Sequence, residues 1–286
     1  MRRKAERPPR PDFREITPER LHNRQGELAR TYNDGDVSQI VANDIAIHYL
    51  GEHWYNRYVK HTSPHAIYFG VNNSSGKREI TTGIMRWLEF SETLLNLQSI
   101  TGFETVLDEL FNGKIEPACA ELEIARMLAT FGSKFIFVRP IGGPKQNYDL
   151  KIFYPDGYKV CAETAAKLEE TTPSAKSILK SIRDSRKQLP DDKPGIIFIK
   201  VPERWVRDIE SADIIKNVAN GYLNQSEHIR SIKFYSPITI FTSERTTRWH
   251  LYIEVSNLKF QERNWDMFQD ENVPIGGRPP WWIRIF

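Results

Sequence analysis

Between two strand-like runs, residues 147–154 and 158–168, stands the tripeptide Pro155-Asp156-Gly157. Few features constrain a chain more, because so short a loop forces its flanks into an antiparallel hairpin and fixes which residues face each other. Pro-Asp-Gly suits a three-residue loop in which a type I turn is followed by a glycine in the left-handed region, forming a bulge. That loop leaves Tyr154 opposite Tyr158, and counting back sets Asp149 opposite Glu163 on one face of the sheet. Their Cβ atoms would lie roughly 4.5 to 5.5 Å apart. A two-residue Asp-Gly turn would instead send the two acids to opposite faces.

The hairpin sits in a longer alternation that begins after Gly113. Pro117 occupies a place the first turn of a helix tolerates, and Ala118, Glu121, Leu122, Ala125, Leu128 and Ala129 repeat at helical spacing until Gly132. A strand over 134–140, a Gly142-Gly143-Pro144 loop, the hairpin, a helix over 173–189 and a buried strand over 195–201 follow. The order is helix, three strands, helix, strand. Beyond Pro202 the pattern predicts a helix over 205–218 and strands over 231–241 and 249–255. The first 112 residues read as mainly helical. Ile40, Ile47, Leu50, Trp54 and Tyr58 fall at helical spacings, a loop lies at 72–76, and two helices cover 81–111 with a break at Thr101-Gly102. Two domains are expected, 1–112 and 113–286.

Composition narrows the class. Apolar residues make up 40 %, charged residues 27 % and aromatics 12 %, as in ordinary globular proteins, and no apolar run approaches the length of a membrane span. The first residues lack the apolar segment of a secretory signal, and Cys119 and Cys161 offer no spacing for zinc or a disulfide framework, so a cytoplasmic protein is expected. Net charge is +3, but residues 1–30 carry nine Arg or Lys against five acids, a basic start read as a solvated tail.

Two facing carboxylates at a hairpin offer hard oxygen ligands. Mg²⁺ takes one or two of these and completes its octahedron with water and substrate phosphate, which points to phosphodiester chemistry. Glu121 shares its helix face with Ala118, Ala125 and Leu128 and so is expected to turn toward the sheet as a third acid, while Glu123 projects elsewhere. The plainer reading pairs Asp149 and Glu163 with Lys151 or Lys167. On the next helix, Lys176, Lys180, Arg183 and Lys187 form a basic stripe beside an apolar one of Ala175, Leu179, Ile182 and Leu189. Such a stripe is either a solvated face or a set of phosphate contacts for nucleic acid.

With these residues in place, the region 116–202 resembles the PD-(D/E)XK nuclease superfamily. The resemblance rests on Glu121, Asp149, Glu163-Thr164-Ala165, and the helix ending Arg186-Lys187-Gln188-Leu189-Pro190. It implies an α/β, restriction-endonuclease-like mixed sheet flanked by helices, in which Asp149, Glu163 and Glu121 hold Mg²⁺, or Mn²⁺ in its place, and Gln188 helps order the site. A lysine two residues after the Glu orients or deprotonates water in that superfamily, and here that position is Ala165. Lys167 could substitute from two residues further on. Otherwise the chain is a non-cutting relative, or a catalytic lysine has been replaced to trap an inactive form. The proline that often precedes the first acid is absent, Tyr148 taking its place.

The resulting expectation is a Mg²⁺-dependent nuclease acting on DNA rather than RNA, with restriction or antiviral defence as a role by analogy of fold. Its N-terminal domain would supply substrate recognition, a protein partner or homo-oligomer contacts. The alternative is a non-catalytic binding or assembly subunit. Other chemistries lack their residues. Gly142-Gly143-Pro144-Lys145 lacks Walker spacing, the candidate calcium loop at Asp34 has Ile45 where Glu is needed, and His61 and His65 flank Ser63-Pro64. Trp-rich segments, Trp281-Trp282 included, read as core or interface.

Overall fold

A computed structural model describes residues 14–60, 69, 77–138, 147–167, 171–241 and 246–260. The order is α1 (Pro18–Leu28), α2 (Asp34–Leu50), α3 (Glu52–Tyr55) with a π turn, α4 (Lys77–Leu97), α5 (Phe103–Phe111), α6 (Ile115–Thr130), β1 (Lys134–Phe137), β2 (Leu150–Phe153) and β3 (Lys159–Ala166). There follow α7 (Ala175–Gln188), β4 (Gly195–Lys200), α8 (Glu203–Arg207), α9 (Ile209–Leu223), β5 (Ile229–Phe241) and β6 (Thr246–Ser256). The described residues fall into two units, one of 14–99 and 106–118, the other of 100–105 and 119–260. The division therefore lies within α6, with a short excursion at 100–105, and not at 112. No described helix is long and apolar enough to cross a membrane.

The first unit is helical, as its spacing predicts. Its aromatic centre joins Trp54, Phe69, Trp87 and Phe90, and the indole N–H groups of Trp54 and Trp87 donate to Leu110 O and Asn43 Oδ1 at 2.7 and 2.8 Å. The basic start is not solvated throughout. From Ile16 it is tied down, because the Gln98 amide accepts from Ile16 N at 2.7 Å and donates to Ile16 O at 2.9 Å. Thr17 then caps α1, Pro18 opens it, and Leu21 and Leu28 are buried. Six basic residues precede Ile16, and their charge hides the short amphipathic helix that follows. The motif at Asp34 is a helix start, where Asn33 Oδ1 accepts from Asp36 N at 3.0 Å.

The second unit is built on one mixed sheet in the order β1-β2-β3-β4-β5-β6. Pairs β1–β2, β2–β3 and β5–β6 are antiparallel, while β3–β4 and β4–β5 are parallel. Parallel neighbours need a crossover, which α7 supplies between β3 and β4 and α8–α9 between β4 and β5. One face of the sheet packs Cys161, Ile197, Ile199, Ile232 and Phe234 against Ile178 and Ile182 of α7 and Ile215 and Ala219 of α9. The opposite face receives α6, whose Ala120 carbonyl accepts from the Tyr235 hydroxyl at 3.1 Å. The helix expected at 205–218 is two, because Asp208 caps α9 by accepting from Ser211 N at 2.8 Å. Segments 139–146, with Pro140 and the Gly142-Gly143-Pro144-Lys145 loop, and residues 61–65, 72–76 and 281–282 lie outside the described residues.

Candidate functional site

The hairpin has the predicted turn. Gly157 is left-handed at φ 85°, Tyr154 N donates to Tyr158 O at 2.9 Å, and Asp156 Oδ1 accepts from Tyr158 N at 3.1 Å. The ladder then runs Phe153↔Lys159, Ile152↔Val160, Lys151↔Cys161 and Leu150↔Ala162, the register of the three-residue loop. Asp149 and Glu163 lie one residue beyond that last pair, and the β2–β3 ladder does not extend to them.

At that point the ladder ends, and the carboxylate of Asp149 takes over. Asp149 N donates to Ala162 O at 3.1 Å, and Oδ2 accepts from Thr164 N at 2.7 Å and Thr164 Oγ1 at 2.6 Å. The side chain thus stands in for the next strand carbonyl, at the end of the β2–β3 ladder. Glu163, 9 % exposed, lies between Cys161 and Ala165 and pairs with Ile197, on the face covered by α7 and α9. Thr164 pairs with Phe198 and belongs to the α6 face. The β2–β3 ladder thus stops short of the expected Asp149–Glu163 pair, and Asp149 Oδ2 is bound to Thr164, a residue of the face opposite to that of Glu163. Among the described residues no three Asp, Glu, His or Cys come together as a group that could hold a metal ion. Asp149, Glu163 and Glu121 are therefore not gathered into the expected set of three.

Glu123 of α6 meets the sheet, contrary to the expectation that it projects elsewhere. Its Oε1 lies 2.8 Å from Lys200 Nζ, and the two side chains are only 12 % and 11 % exposed. Tyr235 adjoins them, its phenol pushed well up by burial and further by the Glu123 carboxylate. Glu121 is also buried. The face was misread because α6 is enclosed nearly all round, with Ala118, Ala120, Leu122, Ile124, Ala125 and Leu128 all buried, so apolar spacing singles out no side. Lys200 and Tyr235 escaped notice because each lies in an otherwise apolar strand. Their signal was a polar residue inside a buried run.

Ala165 packs, partly buried, against the core on the α7 side. Lys167 continues β3, its N donating to Lys200 O at 2.9 Å. Burial, then the nearby Lys180 charge, pull its ammonium below the ordinary lysine range, against the opposing pull of Asp184. Its side chain therefore faces α7 like Glu163 and Ala165, as alternation requires. Gln188 closes α7 beside Leu189, whose side chain abuts Gly195 at the start of β4, the end of that strand away from Lys200.

Lys176, Lys180, Arg183 and Lys187 are all exposed, but they do not act as one stripe. Lys180 and Lys187 both pair with Asp184, at 2.5 and 2.8 Å, and their hydrogen bonds hold its carboxyl down at about 2. Lys176 and Arg183 instead line a groove between α7 and α9, joined by Arg186. The buried side of α7 is Ile178, Ser181, Ile182 and Ser185, whereas Ala175 is exposed and Leu179 half-buried. Serines passed over as polar complete that face because they are small enough to let α7 sit close to the sheet. Cys119 and Cys161 are both buried free thiols. The chain matches no protein-family model and no curated protein.

Proposed function

We propose that the chain is a phosphodiesterase of the PD-(D/E)XK type, a metal-dependent nuclease acting on DNA in preference to RNA. The observation that supports this reading is the β2–β3 hairpin, whose ladder runs to Leu150↔Ala162 and so leaves Asp149 and Glu163 each one residue beyond its last pair, at the same end of the hairpin. The order α6, β1, β2, β3, α7, β4 around them is the one on which the resemblance rests.

Asp149 and Glu163 are the residues that would hold Mg²⁺, or Mn²⁺, which needs only one or two carboxylates when water and phosphate complete its shell. The ion would neutralise charge on the phosphate and so favour in-line attack. Thr164 fixes the Asp149 carboxylate through its peptide N–H and hydroxyl, the role of an orienting partner. Ala165 offers no group to position water. Lys167, on the same face of β3 as Glu163 and with its ammonium drawn below the ordinary lysine range by burial, is the residue assigned to accept a proton at Nζ.

The test uses the parent protein and Ala165→Lys with DNA and RNA in Mg²⁺ or Mn²⁺. The variant is expected to cleave DNA about 10² times faster than the parent, the usual scale of general acid–base assistance. Asp149→Asn or Glu163→Gln should abolish the gain. If Ala165→Lys, like the parent, cuts neither polymer with either metal, the enzymatic reading fails. Ala165, packed into the α7-side core, favours the second reading, a binding or assembly subunit without turnover. Calorimetry showing no Mg²⁺ or Mn²⁺ uptake dependent on Asp149 and Glu163 would select it.

A further inference from the structure

We propose that the groove between α7 and α9 binds a small phosphorylated ligand carrying a planar ring, of the nucleoside di- or triphosphate class. The groove encloses about 870 Å³, within the range of small-molecule sites. It lies apart from the acids of the hairpin and is independent of the nuclease reading.

Charge is the first reason. The cations of α7 that face away from the groove, Lys180 and Lys187, are neutralised by Asp184. Those that face into it, Lys176 and Arg183, make no ion pair among the described residues. Arg186 is held in place, its Nη1 donating to Leu189 O at 2.8 Å and its Nη2 lying 2.7 Å from Asp191. A guanidinium has five donors, so others remain to meet a ligand. Glu227 is the one acid lining the groove, against three cations.

Spacing is the second. Arg183 and Arg186 are three residues apart, about 4.5 Å along the helix, close enough to clasp one phosphate. Lys176 stands about 10.5 Å from Arg183, at the other end. This span suits a single nucleotide and is short for a strand. Between them lie apolar Leu179 and Val218, with half-buried Tyr222 beside them. Tyr222 lines the groove with Arg183 and Arg186, and burial pushes its phenol up while the Arg186 and Arg183 charges pull it back. An apolar floor with a phenol ring can receive a planar ring.

A glycine gives the third. Gly221 lies in α9, where glycine is a poor helix former, and a Cβ there would meet nothing within 4 Å. Packing does not require it. It keeps the α9 wall of the groove bare.

The experiment is calorimetry on the full chain, without added metal, using each of the four ribonucleoside triphosphates, inorganic pyrophosphate and a labelled single-stranded oligonucleotide. At least one triphosphate is expected to bind one to one. Arg183→Ala should weaken it about tenfold or more, the loss of a charged hydrogen bond. Tyr222→Ala should weaken the triphosphate about fivefold and leave pyrophosphate unchanged. Gly221→Glu should abolish binding with its melting temperature at or above the parent's, since it adds a better helix former in open space. Lys180→Ala should change nothing. The proposal is overturned if no triphosphate binds at about 1 mM, if Arg183→Ala and Gly221→Glu bind like the parent, or if only the oligonucleotide binds. None of these outcomes depends on Asp149 or Glu163, so they leave the nuclease reading to its own test.

Discussion

At the residue scale, the buried ion pair of Glu123 and Lys200 carries the clearest energetic consequence. Both charges have lost most of their hydration, and neither can be removed alone without leaving the other in a poorly solvated place. Lys200→Met is expected to cost about 3 kcal/mol in urea denaturation, and Lys200→Met with Glu123→Gln to recover most of that loss. Equal losses in the single and double variants would refute the coupling. Asp184 behaves differently because it is exposed. Its hydrogen bonds to Lys180, then Lys187, favour the ionised form in the folded state and lower its titration from the ordinary 3.8 to about 2. A carboxyl depressed on folding contributes its stability above the unfolded value and loses it as pH falls through the folded one. NMR titration should therefore place the Asp184 midpoint near 2. Lys180→Ala should bring it back toward 3.8, and added salt should shrink the shift. An unchanged midpoint in that variant would show that the pairing is not formed in solution.

At the element scale, the hairpin and α6 show why some of the site was legible and some was not. The β2–β3 register is a local property, set by three residues and their permitted dihedral angles, so the pairing from Phe153↔Lys159 to Leu150↔Ala162 follows from the letters Pro-Asp-Gly. The direction of the Asp149 carboxylate is not local, because it depends on where Thr164 ends the ladder. The same contrast sets apart two left-handed glycines. Gly157→Ala meets no neighbouring atom and should cost only backbone strain, about 1 to 2 kcal/mol. Gly102→Ala would add that strain to a Cβ 2.2 Å from Phe137 O and should cost clearly more. Thermal melts of the two variants check the order, and a reversed order would contradict the close approach of Gly102 to β1.

At the scale of the whole molecule, the sheet unit does not begin where the sequence changes character. Ile100–Thr105 belong to it, since Thr101 O accepts from Phe137 N at 2.9 Å and buried Phe103 lies 6.1 Å, ring to ring, from Phe137. A fragment starting at residue 113 loses these contacts, and one starting at residue 100 keeps them. The shorter fragment is expected to be less stable by about 2 kcal/mol, the worth of one buried Phe, in chemical denaturation. Equal stability would place the boundary at 112 after all. From the letters alone came the alternation of helix and strand over 115–200, the hairpin register and the exposure of the basic residues on α7, because periodicity and turn chemistry act over a few neighbouring residues. Only the tertiary structure decided that Glu123 meets Lys200, that Asp184 separates two pairs of cations, and that Arg186 joins the groove. Those outcomes depend on which surfaces distant segments bring together, and a helix buried on every side or charged on two faces carries no local mark of its neighbours.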